Sequence, residues 1–198
     1  MLHKLLQTPG YRHRFIFDWD LKIARSLNWV AASDVGGLSR LLDNNRPVVF
    51  FPGEMFADLD AAFSFFCRWC LMQAERLPGK FLVGGDESQE YITTNFWKFP
   101  QAVKELFNYG RNLEIDTAFA AQRITDMPSR IRGQMTEIYV FKHCDTDLAS
   151  FDECRKIGID PDAVKSLPHP TYDGKVGWIY RHCLIGKMER VTHEIDSD

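Results

Sequence analysis

Apolar residues of this chain fall in short, nearly continuous runs that alternate with longer stretches where they recur every three or four positions. Leu2, Leu5 and Leu6 have helical spacing, and Thr8-Pro9-Gly10 ends that pattern. Arg14-Phe15-Ile16-Phe17-Asp18 reads as a short buried strand, and Arg46-Pro47-Val48-Val49-Phe50-Phe51-Pro52-Gly53 as another bounded by turn residues. Between them Gly36 to Leu42 offers a short helix. From Met55 to Arg76 the apolar positions Phe56, Leu59, Phe63, Phe66, Cys67, Cys70 and Leu71 predict one long core-facing helix, stopped by Leu77-Pro78-Gly79. Its aromatic face from Phe56 to Trp69 is assigned to the core.

Lys80-Phe81-Leu82-Val83-Gly84-Gly85-Asp86-Glu87 then reads as a strand that stops at two adjacent carboxylates. A polar stretch follows, then a helix from Gln101 to Gly110, then Thr117 to Gln122, a strand of small and apolar residues ending in an amide. Glu137 to Phe141 is a further strand. Helices alternating with continuous apolar strands predict an α/β fold, a mostly parallel sheet with helices on both faces. Beyond Pro170, Lys175 to His182 and Met188 to Ile195 flank Ile185-Gly186 as a β-hairpin, and an acidic tail runs from Glu194 to Asp198. The 198 residues are expected to form a single domain, with a core over 1–150 and the hairpin extension over 151–198.

With 24 Lys and Arg against 27 Asp and Glu, the formal charge is -3, so no global attraction to nucleic acid exists and any such contact must be local. The five cysteines form an odd set, and no charged, apolar, small-residue leader opens the chain. Both features favour free thiols and a reduced, cytoplasmic setting over a disulfide scaffold. No run approaches the roughly 18 to 20 apolar residues of a membrane span; Ser64 and Arg68 interrupt the greasiest stretch, Ala61 to Leu71. Cys67 and Cys70 stand two residues apart, with His143-Cys144, Cys154 and His182-Cys183 as further zinc ligands on paper. Both lie on the apolar helix face, where Cys acts as a small hydrophobe. His3, His13, His169 and His193 read as surface residues without the spacing of a triad.

Asp86 and Glu87 are the leading chemical pair. A strand ending there puts both acids at the carboxyl edge of the sheet, where open α/β folds bind ligands. One acid suits the hydration shell of Mg²⁺, and the next suits a water to be oriented or deprotonated. Solvated acids capping the next helix are the plainer alternative. Gln122 can hydrogen-bond a water or phosphate oxygen without adding charge, or it is an ordinary loop amide. Arg111 follows Gly110, and its stem packing on Tyr109 would explain it equally. Arg123, Arg130 and Arg132 form a local basic cluster, facing either phosphate, DNA or solvent.

Taken in order, the strand ending in Asp18, the Val48–Phe51 strand with Pro52, Asp86-Glu87, Gly110-Arg111, the strand ending in Gln122 and the segment around Ile131-Arg132 resemble the FtsK/HerA superfamily of P-loop ATPases. That superfamily includes the genome-packaging ATPases of membrane-containing icosahedral viruses. The match runs from about Phe15 to Phe141; it is specific as a series and weak at each step. The resemblance implies ATP and Mg²⁺ as cofactors, with Asp86 as the metal-shell residue, Glu87 as general base and Gln122 as the γ-phosphate sensor. It makes Arg111 an arginine finger given to a neighbour. It further implies a ring, a hexamer, acting on double-stranded DNA without sequence preference, with Arg123, Arg130 and Arg132 as DNA or trans-phosphate contacts and a capsid or membrane vertex as partner.

Three features depart from that pattern. No G-x-x-x-x-G-K-[ST] loop occurs in the chain, and the family pattern would place it just before Leu2. A chain that starts late is the simplest expectation, and a catalytically silent subunit or scaffold is the alternative. Gly84-Gly85 replaces β-branched residues, weakening the strand or admitting a close neighbour. Trp19 follows Asp18 where many relatives carry Pro. A filamentous-phage-type assembly ATPase ranks lower, because such proteins work through a membrane segment.

Overall fold

The computed structural model describes residues 1–93, 95–143, 146–169, 173 and 175–194. It divides into two compact units, Met1–Gln122 and Arg123–Asp198. In the first unit α1 (Leu2–Leu6), β1 (His13–Phe17), α2 (Lys22–Leu27), β2 (Ala31–Ala32), α3 (Val35–Asp43), β3 (Val48–Phe50), α4 (Leu59–Arg76), β4 (Phe81–Gly85), α5 (Gln101–Tyr109) and β5 (Ile115–Phe119) follow one another. The five strands form one parallel sheet in the order β2-β3-β1-β4-β5.

Strand alternation sorts the core into two layers. Phe15 and Phe17 of β1 and Phe50 of β3 meet α4, with Phe15 on Trp69 at 5.1 Å, Phe17 on Phe63 at 5.2 Å and Phe50 on Phe66 at 6.0 Å between ring centroids, and Phe81 of β4 packs on Phe15 at 5.6 Å. The intervening Ile16, Val49 and Leu82 join Leu6 of α1 with Ile23 and Ala24 of α2 in a second cluster. Each is fully or almost fully buried. Capping explains the helix starts. Asp34 accepts from the Gly37 N–H at 2.8 Å, and Asp58 accepts from Ala61 at 2.7 Å. The long helix therefore begins at Leu59, four residues after the Met55 expected from spacing.

Sequence spacing overlooked α2 and the two-residue β2. The stretch after Glu87 is only partly polar, since Tyr91, Ile92, Phe96 and Phe99 are buried around the 3₁₀ turns Ser88–Glu90 and Phe96–Lys98. Gly84-Gly85 proves to be a close approach. A Cβ on Gly84 would sit 2.6 Å from the Ala118 carbonyl oxygen, and one on Gly85 2.8 Å from that of Phe17 and against the Tyr91 hydroxyl.

His13 is a correction to its surface assignment. It opens β1 at 8% exposure and stacks on Phe81 at 4.8 Å. Burial holds its imidazole below the usual 6.5. Between the folded value and 6.5 the unfolded chain binds the proton and the folded chain does not, so stability is lost as pH falls through that window. Replacing His13 with Phe should flatten this dependence, read from urea midpoints between neutral and mildly acidic pH. An unchanged slope would put the sensitivity elsewhere.

The second unit holds α6 (Ser129–Arg132), β6 (Glu137–Phe141), α7 (Leu148–Lys156), α8 (Pro161–Lys165), β7 (Lys175–His182) and β8 (Lys187–Glu194). Here β6 pairs antiparallel with β7, and β7 with β8, in a separate three-stranded sheet. The hairpin thus lies where expected, while β6 joins it instead of the parallel sheet. Ile138, Val140 and Ile179 pack with Phe151, Cys154, Ile159, Val164 and Leu167 from the helices and their connections. Cys144, Pro170 and the tail 195–198 lie outside the described residues. Among the described residues no helix is long and apolar enough to cross a membrane.

Candidate functional site at the carboxyl edge of the parallel sheet

Parallel pairing of Phe17 with Gly85 brings the residues that follow each strand side by side, Asp18 on one and Asp86 on the other. Asp18 is 2% exposed and accepts N–H bonds from Ala24 at 2.7 Å and Ile23 at 3.3 Å, which caps α2. Burial nevertheless raises its carboxyl above the ordinary range, with the two N–H groups opposing. Asp86 is half-buried and accepts from the Glu87 N–H at 2.8 Å. Glu87 occupies the left-handed region at φ +46°, a conformation that costs a side-chain-bearing residue about 1 kcal/mol or more.

The Glu87 carboxylate is not free-standing. Its Oε1 lies 2.9 Å from Lys22 Nζ, which also meets Asp20 Oδ2 at 2.7 Å. These bonds, Asp20 first, raise the Lys22 ammonium, so it stays charged. Lys22 and Asp20 were missed in the sequence, although the acid-rich run Asp18-Trp19-Asp20-Leu21-Lys22 after a strand was a usable signal. Four buried polar atoms near the acids have no partner among the described residues: Trp19 Nε1, Ser88 Oγ, Gln89 Nε2 and Tyr91 Oη. Burial, then Asp86, pushes the Tyr91 hydroxyl up and keeps it protonated.

Gln122 is placed differently from expectation. β5 ends at Phe119, and the pairing continues through the Ala120 N–H to the Gly85 carbonyl at 3.1 Å and the Ser88 N–H to Ala120 at 2.8 Å. This carries the exposed Gln122 alongside the acidic segment, where its N–H donates to Gln89 Oε1 at 3.3 Å. Arg111 is exposed in the turn Gly110–Leu113 that leads into β5, at the amino edge. The five residues of β4 and β5 separate it from Asp86 by roughly 13 Å or more. The fold does not bring Arg111 to the acids of its own chain. Burial and then Lys4 lower the Met1 ammonium, while the charge of Asp86 opposes them.

Arg123, Arg130 and Arg132 belong to the second unit. Arg123 is exposed and paired with Asp126 at 3.3 Å, and Arg130 is exposed. Arg132 is engaged internally: its guanidinium donates to the Ile124 and Met127 carbonyls and to Glu153 Oε2 at 2.6 Å, with side chains 10% and 18% exposed. Arg132→Ala would leave two carbonyls without this donor and Glu153 with Lys156 alone at 2.6 Å, at a cost of about 2 kcal/mol. A urea titration followed in this unit should show that loss; a change under about 0.5 kcal/mol would mean the pair is solvated. Cys67 and Cys70 lie on the buried face of α4, where burial pushes both thiols up.

The first unit is thus an α/β fold, an open parallel sheet with an acid pair at its carboxyl edge. Among solved structures it is similar to the genome-packaging NTPase B204 of Sulfolobus turreted icosahedral virus 2. In complex with ATP-gammaS that structure gives 16% identity and a TM-score of 0.69 over 95% of this chain and 85% of that one. Its complex with AMPPCP gives 14% and 0.70 over 99% and 88%. The DNA-packaging ATPase B204 of Sulfolobus turreted icosahedral virus gives 18% and 0.65 over 89% and 80%. No protein-family model and no curated protein matches the chain. At these identities the likeness is one of fold.

Proposed function

We propose that this chain is an ATP-driven nucleic-acid translocase of the FtsK/HerA type, acting as a viral or phage DNA-packaging ATPase. The observation that carries the reading is the placement of Asp86 and Glu87 at the carboxyl end of β4, in a fold that matches nucleotide-bound packaging NTPases over nearly its whole length. The residues fit a hydrated Mg²⁺ and an attacking water, because two half-buried carboxylates stand beside buried polar atoms that have no partner among the described residues. When bound, the metal would neutralise phosphate charge. Asp86 would hold the hydrated cation, Glu87 would accept a proton from the attacking water, and Gln122 would orient that water. Arg111 lies too far from its own acids and serves the site of a neighbour in a ring, a hexamer by the FtsK/HerA analogy. Exposed Arg123 and Arg130 meet the DNA backbone, whereas Arg132 supports their unit from within. The setting is the host cytoplasm or the virion, with a capsid or membrane vertex as partner.

The test is Mg²⁺-dependent ATP hydrolysis stimulated by double-stranded DNA, with binding that weakens steeply as salt rises. The alternative reading is a catalytically silent assembly partner. Such a subunit shows no nucleotide binding at millimolar ATP while it still oligomerises or captures an active subunit.

A further inference from the structure

The hairpin β7–β8 has no part in the reading above, and its apex departs from ordinary turn chemistry. The strands pair from Lys175↔Glu194 to His182↔Lys187, leaving Cys183 to Gly186 as the connection. Cys183 is anchored through its N–H to the Thr136 carbonyl at 2.7 Å, and Gly186 supplies the left-handed residue at φ +66°. Turns favour Gly, Asn, Asp and Ser, which shape the backbone or bond to it locally. This apex instead holds Leu184 and Ile185, exposed to 72% and 70%, with Met188 at 44%. Aliphatic side chains displayed there add nothing to the core of Ile138, Phe151 and Ile179 beneath the sheet.

The charge around the apex is mainly basic. Arg181, His182, Lys187 and Arg190 lie within five residues of it, against Glu189 in the same stretch and Glu137, which pairs opposite His182, in a chain whose formal charge is -3. Lys187 pairs with Glu189 at 2.6 Å. The arginines bond neutral groups, Arg181 the Gly158 carbonyl at 3.1 Å and Arg190 the Ser166 carbonyl at 2.7 Å, which orients them without cancelling their charge. We propose that the hairpin apex is a docking device for an anionic lipid surface, Leu184 and Ile185 entering the headgroup boundary while Arg181, Lys187 and Arg190 face the lipid's negative charge.

A lipid surface fits this apex better than a protein does. A stable protein interface needs about 800 Å² on each partner with a shaped core, which two aliphatic side chains and a methionine do not provide. The headgroup boundary needs no shaped counterpart, and it rewards apolar insertion together with basic residues nearby. One apex binds weakly, and several presented together bind far more tightly.

The experiment is flotation of the full chain with phosphatidylcholine vesicles, with and without phosphatidylserine; it requires no nucleotide, so it stands apart from the ATPase reading. Binding to the phosphatidylserine vesicles alone is expected, weakening with salt and falling at least about tenfold in the double variant Leu184→Asp, Ile185→Asp. The thermal midpoint of that variant should match the parent, because both side chains are exposed. Absence of binding by the parent, equal binding to both vesicles, or binding that survives the double variant would each overturn the proposal. A parent that ignores vesicles but loses self-association in the variant would assign the apex to a second copy of the chain and overturn it as well.

Discussion

Glu87→Gln is expected to lower ATP turnover by roughly a hundredfold to ten-thousandfold, the range in which positioned general bases act, while leaving nucleotide-dependent assembly intact. The substitution is nearly isosteric and removes only the basic oxygen. Glu87 sits at φ +46° just past β4, with its carboxylate held 2.9 Å from Lys22, so the backbone and the β1–α2 loop both fix where that oxygen points. Gln can still accept from the Lys22 ammonium, which preserves the local fold. Turnover by the variant equal to that of the parent would remove Glu87 from the chemistry. A parent with neither turnover nor nucleotide binding would instead favour the silent-subunit reading. Steady-state hydrolysis and size-exclusion profiles with and without nucleotide separate these outcomes.

Phe17→Ala should destabilise the Met1–Gln122 unit by about 4 kcal/mol, within the range for a phenyl ring deleted from a packed core. Phe17 is fully buried, and its ring lies 4.6 Å from Tyr91, 5.2 Å from Phe63 and 5.6 Å from Phe66 between centroids. It is also the last residue of β1, so the cavity opens directly beneath Asp18 and beside Gly85. The effect should therefore reach function: a variant that remains folded at low temperature is expected to lose turnover too, because the strand ends that carry Asp18 and Asp86 lose their common support. Equilibrium urea unfolding measures the first part, and a loss under about 1 kcal/mol would contradict the packing described.

What the amino-acid sequence determined by itself was local. Continuous apolar runs such as Phe15-Ile16-Phe17 and Phe81-Leu82-Val83 identify buried parallel strands, because both faces of such a strand are covered. The three-to-four spacing of Phe63, Phe66, Cys67 and Cys70 marks α4, and Ile185-Gly186 marks the hairpin, since helix period and turn chemistry act over a few residues. The acid pair was legible because its position depends only on where one strand stops. What tertiary structure decided were long-range relations. Strand order placed Asp18 and Lys22 beside Asp86 and Glu87, residues 65 and more positions apart that no periodicity connects. Pairing register carried Gln122 along the acidic segment although its strand had already ended, and put Arg111 at the opposite edge. Packing buried His13 against Phe81 and turned Arg132 inward to Glu153. It also gave β6 to the antiparallel sheet, because a five-residue apolar strand pairs in either direction and only its neighbours select one.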